Sequence, residues 1–210
     1  MPNFDLRNCN CMDLMREFPD KHFELAIVDP PYSLGNRLQG GSSSQFIKNQ
    51  KEKVNKWDSS TPEDKYFKEL FRVSKNQIIW GGNYFGLPQN RCFLVWDKTI
   101  HGNSYSDCEY AWTSFDSPSR IFVLNIASIT SEGRIHPTQK AVAMYKWILR
   151  NYAKQGDKIL DTHLGSGSIA IACHQMGFDL TGSELDQDYF EAMQKRIKEE
   201  TKQQDLFSIA

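Results

Sequence analysis

No apolar run in the chain approaches the roughly 20 residues that a membrane span requires, so no membrane association is expected. The first residues, Met1-Pro-Asn-Phe-Asp-Leu6, lack a basic segment followed by an apolar one, and a signal peptide is not expected. An excess of charge is also missing: 25 Lys and Arg stand against 26 Asp and Glu, a net charge of −1. That balance counts mildly against a polyanionic partner unless the cations are clustered. Cysteine is sparse and odd in number, at positions Cys9, Cys11, Cys92, Cys108 and Cys173. Such scatter argues against a disulfide framework and for reduced thiols in a cytoplasmic protein. Cys9-x-Cys11 has no second pair at zinc-ligand spacing, so no metal site is expected. Internal repeats are absent too.

What is present suits one sizeable domain with its own core. Short apolar runs ending in turn residues read as buried strands: Leu25–Val28, Gln77–Trp80, Phe93–Trp96, Glu109–Trp112, Ile121–Leu124, Lys158–Leu160 and Asp179–Thr181. Helical spacing fits 11–18, 139–152, 168–176 and 187 to about 200. Thr61-Pro62-Glu63-Asp64 reads as a further helix start, with Thr as cap and Pro as first helical residue. The alternation of strand and helix indicates an α/β protein with a mostly parallel sheet, which binds ligands at the carboxyl ends of its strands.

Two segments that follow strands carry chemistry. Lys158-Ile-Leu-Asp161-Thr-His163-Leu-Gly165-Ser166-Gly167-Ser168 is a strand, a glycine turn and a helix start, with Glu184 at the end of the next strand. Glycines allow close approach of backbone to a ligand, and helix N–H groups attract an anion. Gly165-x-Gly167-x-x-Ala170 also satisfies the dinucleotide fingerprint, with an acid nineteen residues beyond Gly165. A nicotinamide-dependent oxidoreductase therefore competes at this point. It would need a circularly permuted dinucleotide domain, because only one more strand follows the fingerprint.

The second segment is Asp29-Pro30-Pro31-Tyr32. An exocyclic amine on a nucleobase is a poor nucleophile because its lone pair is delocalised into the ring. The Asp29 carboxylate and the Pro30 carbonyl can accept its two N–H groups, localise the lone pair and stabilise the developing positive charge. The prolines fix the direction of that carbonyl. Tyr32 offers a flat face to a base taken out of its stack.

These segments resemble the amino-methyltransferases of DNA in the permuted β class, where the catalytic motif precedes the cofactor motif. Asp29–Tyr32, His136-Pro-Thr138-Gln-Lys140, Asp161–Gly167 and Gly182-Ser-Glu184-Leu-Asp186 with Tyr189 occur in the expected order, and Asn10-Cys11-Met-Asp13 resembles the adenine-contacting segment. The resemblance spans nearly the whole chain. It implies a Rossmann-like S-adenosylmethionine-dependent methyltransferase fold with helices on both faces, in permuted order. It also implies a bacterial or phage-encoded protein acting on double-stranded DNA, in a restriction-modification setting.

The resemblance further implies roles. Asp29, Pro30 and Pro31 with Tyr32 would engage the target base; Asp29, Asp161, His163, Gly165, Ser166, Gly167 and Ser168 would form the cofactor site with Glu184 on the ribose. Thr138 and Lys140 would sit near the methionine carboxylate, and Asn10 and Cys11 in the adenine pocket. Transfer would be an in-line displacement without a covalent cysteine. The leading Asp favours N6 of adenine, with cytosine N4 as the alternative; an RNA or protein methyltransferase and a non-catalytic subunit are more distant readings. Three positions depart from the family: Thr162-His163 stands for Pro-Phe, Asn10 for Asp and Ala141 for Pro.

The methyltransferase domain is expected over 1–202. Within it, 33–60 reads as a mobile DNA-facing loop in which Lys48, Lys51, Lys53 and Lys56 are offset only by Glu52, and 98–134 as reduced target-recognition elements. A tail, 203–210, contains Gln203-Gln-Asp-Leu206-Phe207, which resembles the pentapeptide that docks bacterial replication and repair proteins on the sliding clamp. A fraying helix end that packs Leu206 and Phe207 back on the domain is the plainer reading. A homodimer is a further candidate assembly.

Overall fold

Residues 23–28 are apolar almost without interruption because the strand they form is covered on both faces. In this computed structural model, which describes residues 2–33, 61–102, 106–125, 127 and 134–207 (backbone only beyond 202), that strand lies near the middle of one eight-stranded sheet. The first elements are β1 (Phe4–Asn8), α1 (Cys11–Arg16), β2 (Phe23–Val28), α2 (Asp64–Val73) and β3 (Ser74–Trp80). A 3-10 turn at Gly82–Tyr84 precedes β4 (Phe93–Asp97), β5 (Cys108–Thr113) and β6 (Arg120–Val123). The chain closes with α3 (Val142–Tyr152), β7 (Lys158–Asp161), α4 (Ser168–Met176), β8 (Asp179–Glu184) and α5 (Gln187–Phe207).

The strand order is β1-β8-β7-β2-β3-β5-β4-β6. All neighbours pair in parallel except β5, which runs antiparallel to both β3 and β4. Side chains alternate between two cores, as strand geometry requires. Ile27, Ile78, Trp80 and Ile159 join α3, α4 and α5 on one face. Val28, Ile79 and Leu160 join α1 and α2 on the other. The result is a three-layer α/β fold with helices on both faces of a mostly parallel sheet.

Several boundaries differ from the sequence reading. β1 was not foreseen; its short, half-buried FDLRN pattern has no apolar run, and it exists because β8 offers it a parallel edge. Thr61 and Pro62 do not start α2. Glu63 keeps an extended backbone and caps Asp64 through its carbonyl, which accepts the Tyr66 N–H at 2.9 Å. α3 begins at Val142, not 139, because Gln139 and Lys140 belong to the site loop. α5 continues through Phe207, so the backbone of 203–207 prolongs the helix expected to end near 200. β5 and β6, which fall within the 98–134 segment, lie in the sheet, and among its described residues 98–102, 106–107, 114–119 and 124–125 lie outside it. The segment with Lys48, Lys51, Lys53 and Lys56 falls outside the described residues, as do the side chains of Gln203, Leu206 and Phe207. No described helix is long and apolar enough to cross a membrane.

Candidate active site

Four adjacent parallel strands deliver the site from their carboxyl ends. In spatial order β1 leads to Asn10, β8 ends at Glu184, β7 ends at Asp161 and β2 is followed by Asp29. Between them lies a cavity of about 270 Å³ whose wall includes Asn10, Cys11, Asp29, Thr138, His163 and Glu184. Lys140, Gly165 and Ser166 also line it.

The turn after β7 is shaped by two glycines in the left-handed region, Gly165 at φ 50° and Gly167 at φ 72°. A Cβ on Gly167 would lie 2.4 Å from Cγ of Met193, so only glycine lets α5 pack there. Arg196, buried on α5, donates to the Ser166 carbonyl at 3.0 Å and to Ser168 Oγ at 2.9 Å. This tie turns Ser168 toward α5; Gly167 and Ser168 thus stand behind the cavity wall rather than on it. Arg196 is a residue the sequence gives no reason to select, since a charged residue on a terminal amphipathic helix reads as solvated.

Both oxygens of Glu184 accept backbone N–H groups, from Gly165 and from Asp186, each at 2.9 Å. Burial nevertheless raises its pKa above the usual carboxylate value. Asp161 is 1% exposed and sits just behind the wall, accepting the His163 N–H at 2.9 Å. Burial pushes it up to about 8, and the nearby Asp29 adds to the shift. Two carboxylates short of compensating charge beside one cavity suit a ligand bearing a cation and hydroxyls, which fits the aminoacyl and ribose parts of S-adenosylmethionine.

Neutral groups complete this side. Burial holds His136 down to about 3 and His163 to about 4, so both imidazoles are uncharged at ordinary pH. Thr138 donates its N–H to His136 Nδ1 at 3.3 Å. Thr162 Oγ1 lies 2.9 Å from His163 Nδ1 and 2.6 Å from the Tyr66 hydroxyl. The departure from Pro-Phe at 162–163 is therefore accommodated by a polar chain anchored on α2. Asn10 spends its side-chain oxygen on the Met12 N–H at 2.8 Å, capping α1. Burial lifts the Cys11 thiol to about 11, and it stays protonated.

On the other side of Asp29 the arrangement changes. One of its oxygens accepts the Tyr32 hydroxyl and the other accepts the Lys140 ammonium. Burial raises Asp29, opposed by Lys140. Burial disfavours the charge on Lys140 as well, but Asp29 and Glu109 overcome it and raise its pKa. The Tyr32 ring stacks on Tyr84, with centroids 5.2 Å apart and planes at 20°. Gly81, at φ 67°, passes so close beneath Tyr32 that a Cβ there would lie 2.1 Å from its ring. The sequence reading expected Lys140 beside the cofactor carboxylate; it lines the cavity, but its partners here are Asp29 and Glu109. Tyr84 and Glu109 were not selected from the sequence. A Tyr two residues after a double glycine and a Glu in a strand carry no local signal.

The DNA methylase family of N6/N4 methyltransferases matches residues 45–195, more than two thirds of the chain, and the protein belongs to that family. It is accordingly an S-adenosylmethionine-dependent DNA methyltransferase. The matched interval covers the 136–140, 161–167 and 182–186 segments and begins downstream of Asp29–Tyr32. YubD of Escherichia coli (strain K12) is 24% identical over 208 residues, covering 90% of this chain and 87% of that protein. Among solved structures, the M1.HpyAVI–SAM complex covers 92% of this chain and 98% of its own at 18% identity, with a TM-score of 0.59. The PvuII DNA methyltransferase, which is cytosine-N4-specific, covers 96% of this chain and 91% of its own at 12% identity, with a TM-score of 0.64.

Proposed function

We propose that the chain transfers the methyl group of S-adenosylmethionine to N6 of an adenine turned out of double-stranded DNA. The observation that carries this reading is the position of Asp29. Its carboxylate stands at the junction of the cavity and the Tyr32–Tyr84 aromatic stack. A base lying against Tyr32 would present its amine to that carboxylate and to the Pro30 carbonyl. The cofactor supplies an electrophilic methyl group when bound. Asp161 would hold its ammonium, Glu184 its ribose hydroxyls, and Asn10 and Cys11 would flank its adenine, with Gly165 and Ser166 forming the turn against the methionine part. Thr138 would face the methionine carboxylate.

Label from tritiated S-adenosylmethionine, followed into unmethylated genomic DNA and resolved by nucleoside analysis, tests the reading. N6-methyladenine is the expected product. N4-methylcytosine would move the same chemistry to the other base, and absence of label despite cofactor binding would overturn the enzyme.

Two partner readings go with it. Lys48, Lys51, Lys53 and Lys56 would contact DNA phosphates, and replacing all four should flatten the salt dependence of DNA binding. Gln203, Leu206 and Phe207 would dock on the bacterial sliding clamp. Truncation after Lys202 should abolish retention on immobilised clamp, and equal retention of both forms would sink the idea.

A further inference from the structure

Asp29 belongs to a line of four charges that alternate in sign. Lys140 Nζ bonds Asp29 and stands 3.3 Å from Glu109; Glu109 in turn meets Lys98 Nζ at 3.0 Å. The lysine side chains are nearly sealed from solvent, 2% exposed for Lys140 and 10% for Lys98. Each ammonium sits over an indole, Lys140 at 5.2 Å from Trp80 and Lys98 at 5.5 Å from Trp96. Charges so enclosed must be paired.

Topology puts Glu109 there. β5 runs against its neighbours, so its beginning lies at the edge of the sheet where the parallel strands end. Register fixes it further: Glu109 pairs with Trp96 on β4, and Lys98 donates its N–H to the Asp107 carbonyl at 3.0 Å.

We propose that Glu109 is a positioning residue of methyl transfer: it draws the Lys140 ammonium off Asp29 when the target amine arrives. This rests on the assignment of Asp29 as the acceptor of that amine. As the nitrogen–methyl bond forms, the sulfur–methyl bond breaks. The positive charge passes from sulfur to nitrogen, and the nitrogen then loses a proton to water. An ammonium held on Asp29 throughout would cancel the carboxylate that must face this charge. Glu109, already within reach of Lys140, supplies the second anion. Lys98 keeps Glu109 in place and ionised; burial would raise the Glu109 pKa, but Lys140 and Lys98 hold it below its usual value.

The test is Glu109→Gln in the full chain, read as total amine methylation of DNA whichever base receives it. Expected are a fall in kcat of about tenfold to a hundredfold and a KM for S-adenosylmethionine within twofold of wild type. The acidic limb of the kcat profile should also move to lower pH, because the Glu109 charge opposes ionisation of Asp29. The other titratable groups facing Asp29 are Tyr32, Lys140, Asp161, Tyr145 and Tyr66. Glu109 acts on Tyr32, Lys140 and Tyr145 as well, but all three are raised above their ordinary values and so stay clear of the acidic limb. Glu109→Asp keeps the charge but withdraws it by one methylene; it should retain the wild-type limb and lose kcat severalfold, and it decides the matter if the Gln variant fails to fold. Unchanged kcat and limb in either active variant overturn the role of Glu109 alone. Joint loss of cofactor binding and activity assigns Glu109 to the scaffold and overturns it too. An inactive wild type overturns this inference together with the function on which it rests.

Discussion

The two halves of the site are built on opposite electrostatic plans. On the cofactor side, Asp161 and Glu184 stand at the ends of β7 and β8 with backbone N–H groups for partners, and both are raised by burial. On the acceptor side, Asp29, Lys140, Glu109 and Lys98 compensate one another. The first half holds carboxyl groups whose charge burial disfavours, and a cation entering beside Asp161 would favour its ionisation. The second is satisfied in the free protein, and on the proposed function it would have to exchange partners before an amine could use Asp29. A ligand that only has to be captured and one that must be activated call for these different preparations.

The comparison is tested most severely at Asp29. Asp29→Ala should lower single-turnover transfer by about a thousandfold or more while S-adenosylmethionine affinity, read by calorimetry, stays within a few-fold. Substantial retained transfer would overturn its assignment to the acceptor side.

Next come the paired glycines. Gly167→Ala forces a side chain at φ 72° against Met193, and should destabilise the fold by about 1–3 kcal/mol and weaken cofactor binding. Gly81→Ala meets the Tyr32 ring instead, and should lower transfer while leaving cofactor affinity near wild type. Melting curves and binding isotherms on both variants show whether the halves are separable.

Tyr84 is 47% exposed and covers one face of Tyr32. Rings 5.2 Å apart leave no room for a base between them, so on the proposed function Tyr84 would have to move for a base to lie on that face. Tyr84→Ala should change the KM for DNA by about tenfold, with little effect on the KM for S-adenosylmethionine. The fluorescence of 2-aminopurine at the target position reports the step directly.

The smallest effect is a pH dependence. The Asp161 proton is kept to about 8 in the fold, whereas the ordinary value is 3.8. Between those values the unfolded chain binds fewer protons, so rising pH lowers stability. The contribution is complete below 3.8 and lost as pH rises toward about 8. In the ligand-free protein, Asp161→Asn should therefore melt above wild type by a margin that widens from pH 5 to pH 8. A constant margin would remove the buried-charge account of the cofactor side.

The cofactor half was the more legible in the sequence for a physical reason. Its residues act through the backbone turn they sit in, so Asp161-x-x-x-Gly165-x-Gly167 announces itself over a few positions. Helix α4 was legible end to end, because Gly167 and Gly177 bracket it in the left-handed conformation. The acceptor half depends on contacts between distant segments. Lys140 reaches Asp29 across 111 residues of sequence, and nothing near either residue encodes the pairing. β1 was missed for the same reason, since its polar pattern becomes a strand only beside β8.

By itself, the sequence determined the α/β class, the order of the motifs, and the glycine turn and Asp29–Tyr32 segment that follow strands, because each is a local requirement of backbone geometry or side-chain chemistry. The tertiary structure decided which charges meet. It turned β5 against its neighbours and so brought Glu109 to Lys140, laid Tyr84 on Tyr32, and buried Arg196 behind the glycine loop. Those choices follow from strand order and packing, in which residues far apart in the chain are placed by the sheet between them.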